Sequence, residues 1–286
     1  LVIKELLNKP SQTDIEIEAD KNTVKLKNIS LSSGNNPVIN ITGRIENIEA
    51  PVLKDIKVNI PNAVTLSANF AGGEEISAKA DLTLNGSIEK PEITGNAKIL
   101  NCRIKKYFTE VKNADIIFEP QNIHLRAPET SVKGAVFNAS ADIEPEFNKR
   151  ITVKNMQVNS MYFDLNSLFD VIKSEQNIFA EPFITIKKGS AAINEFKVLD
   201  LKAKDTSADF EFDKNILKAS NIHASAYSGL IEGRAEYELN SGFLKIDMQG
   251  KDLDIRTSMQ DLLKLNDNFT GRTDVKAKLS MMTGSY

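Results

Sequence analysis

Strict two-residue alternation of apolar and charged side chains is the feature that most limits how this chain can fold. Asp14-Ile15-Glu16-Ile17-Glu18-Ala19, Asp209-Phe210-Glu211-Phe212-Asp213 and Arg234-Ala235-Glu236-Tyr237-Glu238-Leu239 all show it. Leu244-Lys245-Ile246-Asp247-Met248-Gln249 and Asp274-Val275-Lys276-Ala277-Lys278-Leu279-Ser280 repeat it. Successive side chains on a strand point to opposite faces, so each run has one apolar and one charged face. An antiparallel sheet built from such strands is apolar on one side and wet on the other. Function then turns on what covers the apolar side.

From Leu1 to residue 163 the sequence predicts only strands and turns. The expected strands are 13–19, 23–31, 38–46, 52–60, 63–70, 76–88, 93–104, 112–118, 122–126, 131–143 and 151–161. Gly34-Asn35-Asn36-Pro37, Gly72-Gly73, Lys90-Pro91, Glu119-Pro120 and Pro145 punctuate them. Connections this short favour antiparallel neighbours joined as a meander. At Asp164 the pattern changes, because Leu165, Leu168, Phe169 and Ile172 follow helical spacing behind an Asp164 cap. Strands resume over 183–187, 190–204, 206–213, 216–226, 229–239, 242–250 and 271–281. A second short helix is expected near 257–266, capped by Thr257 or Ser258, with Asp261 in its first turn. The chain therefore divides into a repetitive strand region, 1–163, and a module at 164–286 with short helices near 165–174 and 257–266. The tetrapeptide Gly-x-Ile-Glu recurs at Gly43–Glu46, Gly86–Glu89 and Gly229–Glu232.

Composition removes several function classes. With 36 basic and 39 acidic residues well mixed, no nucleic-acid patch or polybasic membrane tether is implied. Trp is absent and only five Tyr occur, which argues against carbohydrate platforms. Cys102 is the single cysteine, so no intramolecular disulfide forms. No apolar run reaches the ~18 residues of a membrane-spanning helix. The chain begins at Leu1 in a strand-rich stretch, without initiator Met or signal peptide, and reads as a piece of a longer protein.

Catalytic chemistry is also missing from the sequence. The two histidines, His124 and His223, sit in strand-like runs without an acidic or Cys neighbour at ligand spacing. No nucleophile elbow, phosphate loop or dinucleotide fingerprint is present. Asp252 and Asp254 flank Leu253 but lack the Asp-rich loop of a calcium site. The sequence thus points to a protein that is not an enzyme and uses no cofactor or metal.

From about Ile193 onward, Phe210–Leu217 leads into Ile222-His223-Ala224-Ser225-Ala226-Tyr227-Ser228-Gly229. Gly250-Lys251-Asp252-Leu253-Asp254, Leu262-Leu263 and Phe269-Thr270-Gly271 follow. This resembles the C-terminal module of the AsmA-like family of bacterial envelope proteins, with Ser228 in place of a customary Gly. Asn85-Gly86-Ser87-Ile88-Glu89-Lys90-Pro91-Glu92-Ile93-Thr94-Gly95 resembles the Gly…Pro…Gly repeat of the related TamB group.

The resemblance implies an all-β fold: a long antiparallel curled sheet, an open taco-like β-groove, with one or two short helices. It also implies a non-enzymatic conduit carrying phospholipid acyl chains across the periplasm between inner and outer membranes. The implied anchor is an N-terminal inner-membrane helix outside this sequence, and an outer-membrane barrel protein is an implied partner. The alternative is a structural scaffold supporting outer-membrane protein assembly, and a third reading is an adhesin-like β stack. The expected lipid-binding inner face comprises Ile99, Phe118, Phe137, Phe210, Phe212, Tyr237, Leu244, Ile246, Met248, Val275, Ala277 and Leu279. An ordinary packed core would use the same positions. Small inward residues at Ala19, Ala68, Ala97, Ala139, Ala203, Ala235 and Ala277 leave room for a guest and favour the conduit.

Overall fold

The computed structural model describes residues 2–3, 11–34, 36–68, 74–104, 109–132, 135–145, 151–166, 184–198, 200–263 and 270–282. They form two compact units. Unit 1 is Leu1–Val132 with Ser140–Phe147. It contains β1 (Val2–Ile3), β2 (Ser11–Ala19), β3 (Thr23–Ser33), β4 (Asn36–Glu46), β5 (Val52–Ala68), β6 (Glu74–Ser87), β7 (Lys90–Ile104), β8 (Thr109–Glu119) and β9 (Asn122–Val132). Strand β10 (Ala135–Glu144) contributes residues to both units. Unit 2 is Lys133–Ala139 with Asn148–Tyr286. It contains β11 (Ile151–Asp164), β12 (Ile184–Val198), β13 (Leu201–Asp213), β14 (Ile216–Ala226), β15 (Gly229–Glu238), β16 (Phe243–Asp254), the helix α1 (Ile255–Leu263) and β17 (Arg272–Met282).

In unit 1, strands β2 to β9 pair in chain order and every pair is antiparallel. The short β1 pairs with the far end of β5, Val2 opposite Ser67 and Ile3 opposite Leu66. In unit 2, β12 to β17 form a second antiparallel run. The expectation of a wholly antiparallel sheet is corrected at one place, because β11 and β12 are parallel. Among the described residues no pairing joins β9 to β2 or β17 to β11, so neither unit's strands close on themselves there. The fold is all-β with an open sheet.

Several boundaries differ from the sequence expectation, each for a local reason. The strands expected at 52–60 and 63–70 are one strand, β5. Pro61 sits in the register shift between Ile60 and Val64, where a missing N–H costs no ladder bond. The break expected near residue 205 falls instead between Val198 and Leu201, which are register partners. Leu199-Asp200 has no turn signature, and Asp205 (φ 50°) is a bulge inside β13. Strand β9 runs on to Val132, past the expected end at residue 126. The Gly-x-Ile-Glu tetrapeptides lie at the end of β4, across the end of β6, and at the start of β15.

Of the helix expected near 165–174, Leu165 and Asn166 are helical and the rest lies outside the described residues. The Asn166 N–H donates to Asp164 Oδ1 at 3.0 Å, as the expected cap requires. Helix α1 starts two residues before its expected position. Asp254 Oδ1 accepts from the Thr257 N–H at 2.9 Å and from Thr257 Oγ1 at 2.7 Å, so Asp254 is the cap. Asp261 consequently lies beyond the first turn.

Tight packing is sparse. Among the described residues no large side chain is fully buried. The buried apolar positions are scattered, for example Val38, Ile56 and Val64 in unit 1 and Val153, Phe163, Ile193 and Tyr237 in unit 2. A closed sandwich would bury whole rows of large aliphatics at crystal-like density.

Candidate functional site

Cross-strand register turns the alternation into rows. In unit 1 one row crosses eight strands: Ile15, Ile29, Ile41, Val58, Leu82, Gly95, Phe118 and Ile123, each opposite the next. Ile99 shares this face, lying between Ala78 and Ala114. In unit 2 one row runs Ile186, Phe212, Leu217, Tyr237, Leu244 and Met281. The next runs Gly189, Phe210, Ala219, Ala235, Ile246 and Leu279. Gly233, Met248 and Ala277 form a third with Ile222, and Gly250 and Val275 a fourth with Ile231 and Ala224.

Nine of the twelve expected positions thus fall on one continuous face of unit 2, and Phe137 is a tenth in the same unit. Phe137 packs edge-on against Phe163, ring centroids 5.2 Å apart, and Phe163 lies 6.0 Å from Phe196. Ile99 and Phe118 belong to the corresponding face of unit 1. Tyr237 is buried, whereas Leu279 remains 54% exposed and Val275 44%. On unit 1, Ile15 is 64% exposed. Among the described residues, Ile15, Val275 and Leu279 are thus lined up in apolar rows yet exposed.

Sequence reasoning missed Leu217, Ile222, Ile193 and Met281. Their signal was present in the pattern but hidden by bulges. In β14 the apolar parity moves from Leu217 and Ala219 to Ile222, Ala224 and Ala226, and the register shifts between Ala219 and Ile222. Asn221 takes φ 49° at that shift, so the extra residue is absorbed and both halves keep one face apolar. In β16 the shift between Gly250 and Leu253 does the same, with Asp252 at φ 56°. Asp252 also ion-pairs with Arg272. Bulge and helix cap account for the two aspartates that flank Leu253.

The opposite face is a lattice of exposed ion pairs in register. Asp247 receives Arg234 at 3.0 Å and Lys278 at 3.8 Å, and Glu236 receives Lys245 at 3.4 Å. Glu232 accepts from Lys251 at 2.8 Å and from Gln249 at 3.1 Å. The Lys251 ammonium holds the Glu232 carboxyl below its ordinary value. Exposed pairs of this kind contribute little to stability, so the lattice keeps this face wet more than it stabilises the fold.

His124 has carboxylate neighbours that its sequence context did not reveal. Its Nδ1 lies 2.7 Å from Asp142 Oδ1, and its Nε2 3.5 Å from Glu119 Oε2. The Asp142 hydrogen bond, then Glu119, raises the imidazole above its ordinary value of 6.5. A raised value means the folded state holds the proton more tightly. That stabilisation is complete below about pH 6.5 and is lost as pH rises through the raised value. Titration by NMR is expected to show the His124 midpoint falling towards 6.5 in Asp142→Asn. The melting-temperature advantage of the parent chain over His124→Gln is expected to shrink from acidic to alkaline pH. An advantage that grows with pH would contradict the assignment.

Among the described residues no group of His, Cys, Asp and Glu is placed to hold a metal ion. No helix among them is long and apolar enough to cross a membrane. No curated protein matches the chain. The model of the TamB C-terminal domain family matches residues 13–170. That span takes in the TamB-like Gly86…Pro91…Gly95 stretch and the full eight-strand apolar row of unit 1. Covering more than half of the 286 residues, the match makes this chain a member of the TamB family of bacterial envelope proteins.

Proposed function

We propose that the chain is a non-enzymatic section of a lipid-transfer conduit, carrying phospholipid acyl chains along its apolar face across the periplasm. The observation that carries this reading is the rows of apolar side chains spanning each unit, with no large side chain fully buried among the described residues. Each methylene laid on such a face gains about 0.8 kcal/mol, so a two-chain lipid is held firmly. Hydrophobic contact is non-directional and successive rows are nearly equivalent, so sliding from row to row meets little resistance. The twelve positions from Ile99 to Leu279 are the proposed acyl-chain contacts, and headgroups remain in water. Anchorage by an inner-membrane helix outside this sequence and delivery to an outer-membrane barrel protein complete the proposed route.

Native mass spectrometry with lipid extraction, on protein purified from a bacterial host, tests the reading. The expected result is about one or more phospholipids per chain. A lipid-free, monomeric, well-folded protein would overturn it and give the apolar face to protein contacts, as an assembly scaffold requires.

A further inference from the structure

Glycine inside a strand weakens it, because it loses the most backbone freedom on folding and offers no side chain to pack. Unit 2 nevertheless carries three glycines within strands on its apolar face: Gly189 in β12, Gly233 in β15 and Gly250 in β16. None of the three has a positive φ, so backbone conformation does not call for glycine there. What they share is an apolar side chain lying where their own Cβ would be. A Cβ on Gly189 would run into the ring of Phe210, its direct partner on β13, and its three nearest atoms are all ring carbons. One on Gly250 would stand 2.5 Å from Leu253 Cδ1, and one on Gly233 2.7 Å from Met248 Cγ.

The consequence is a lowered floor. Side chains on a strand ordinarily stand roughly perpendicular to the sheet. A standing ring projects its full length above the face, whereas one lying across a neighbouring glycine adds little more than its thickness. Gly189 and Gly250 are both buried beneath the side chains that cover them. Beyond Phe210 the row continues through Ala219 and Ala235, so the lowered ring is followed by small side chains.

We propose that Gly189 and Gly250 are positioning residues for acyl-chain passage, holding Phe210 and Leu253 down so that the apolar face of unit 2 clears bulky chains as well as straight ones. The proposal rests on the conduit reading and adds what sets the clearance above the face. A Cβ at position 189 takes the ring's place against the backbone, and the ring must rise into the space an acyl chain would use. The displaced atoms belong to a side chain that can rotate, so the strand pairing survives the change.

Competitive uptake tests it, with the delipidated chain offered vesicles of straight-chain dimyristoylphosphatidylcholine and methyl-branched diphytanoylphosphatidylcholine in equal amounts. Both lipids are counted on the reisolated chain by mass spectrometry, and the readout is the ratio of branched to straight. Gly189→Ala is expected to lower that ratio about fivefold while keeping its β-sheet circular dichroism spectrum. Adding Phe210→Leu, which takes away the displaced ring, is expected to return the ratio to the parent's. Gly250→Ala, which lifts Leu253, is expected to lower the ratio independently, and it carries the test where Gly189→Ala fails to fold. An unchanged ratio in a folded glycine variant overturns the proposal and leaves the conduit standing. Equal loss of both lipids that Phe210→Leu does not reverse also overturns it, as damage to the sheet. Unfolding of both glycine variants overturns it too, by assigning the glycines to stability alone. A parent that takes up neither lipid removes the proposal and the conduit together.

Discussion

Replacing Ile246 with Asp is expected to strip co-purifying lipid from the chain while leaving its β-sheet circular dichroism spectrum intact. Ile246 lies between Ala235 and Leu279 in a row that reaches Phe210, and it is only half-buried. A carboxylate there reaches water when the face is empty, so folding costs little. Under an acyl chain it loses that water, and stranding an ion in hydrocarbon costs several kcal/mol. Retained lipid should therefore fall by more than about tenfold, since each ~1.4 kcal/mol is a factor of ten. Leu279→Asp guards against misfolding, because this neighbour is 54% exposed before substitution. Lipid loss with an unchanged spectrum in both variants supports an open face. Unfolding in both would mean that the rows pack against protein, and the conduit reading would fall.

Gly95→Ala is expected to cause the largest loss of stability from a single added methyl group. Gly95 takes φ 123°, a region that side chains rarely adopt, and a Cβ would stand 2.2 Å from the Asp81 carbonyl oxygen. Backbone cannot swing aside as a flexible side chain can, so β7 must part from β6. A cost on the order of 3 kcal/mol follows from strain and lost pairing. At the 2–4 °C per kcal/mol typical of domains this size, melting drops by about 10 °C. Gly34→Ala is the comparison, with φ 59° but nothing within 4 Å of its Cβ. It should cost only the left-handed penalty of about 1 kcal/mol. Equal effects at the two sites would show that the close approach of β6 and β7 does not matter. Gly43, at φ 137° with the Asp55 carbonyl 2.6 Å from its Cβ position, is expected to behave like Gly95.

Alternation made the strands and the apolar face legible, because period two is both the strand repeat and the face repeat. Phe210, Phe212, Ile246 and Leu279 could be assigned to one face before any register was known. The bulges were not legible. Asp205, Asn221 and Asp252 look like ordinary polar strand residues, and only their positive φ shows that each absorbs one extra residue. Without them the apolar set in β14 would split between the two faces. The parallel pairing of β11 and β12 was equally hidden, since strand direction leaves no trace in side-chain period. His124 and Asp142 are eighteen positions apart, and their meeting depends on a register that local sequence does not specify.

Within β2 to β9, and within β12 to β17, each strand pairs with the next in the chain, which gives each run a modular span. Adjacent strands stand about 4.8 Å apart, so β2 to β9 extend roughly 34 Å along the hydrogen-bond direction. One more hairpin would add roughly 10 Å and alter only the pairing at its own edge. Duplication or deletion of hairpins can thus retune reach in even steps. The gap such a sheet bridges becomes a matter of counting hairpins, independent of the side chains that line it.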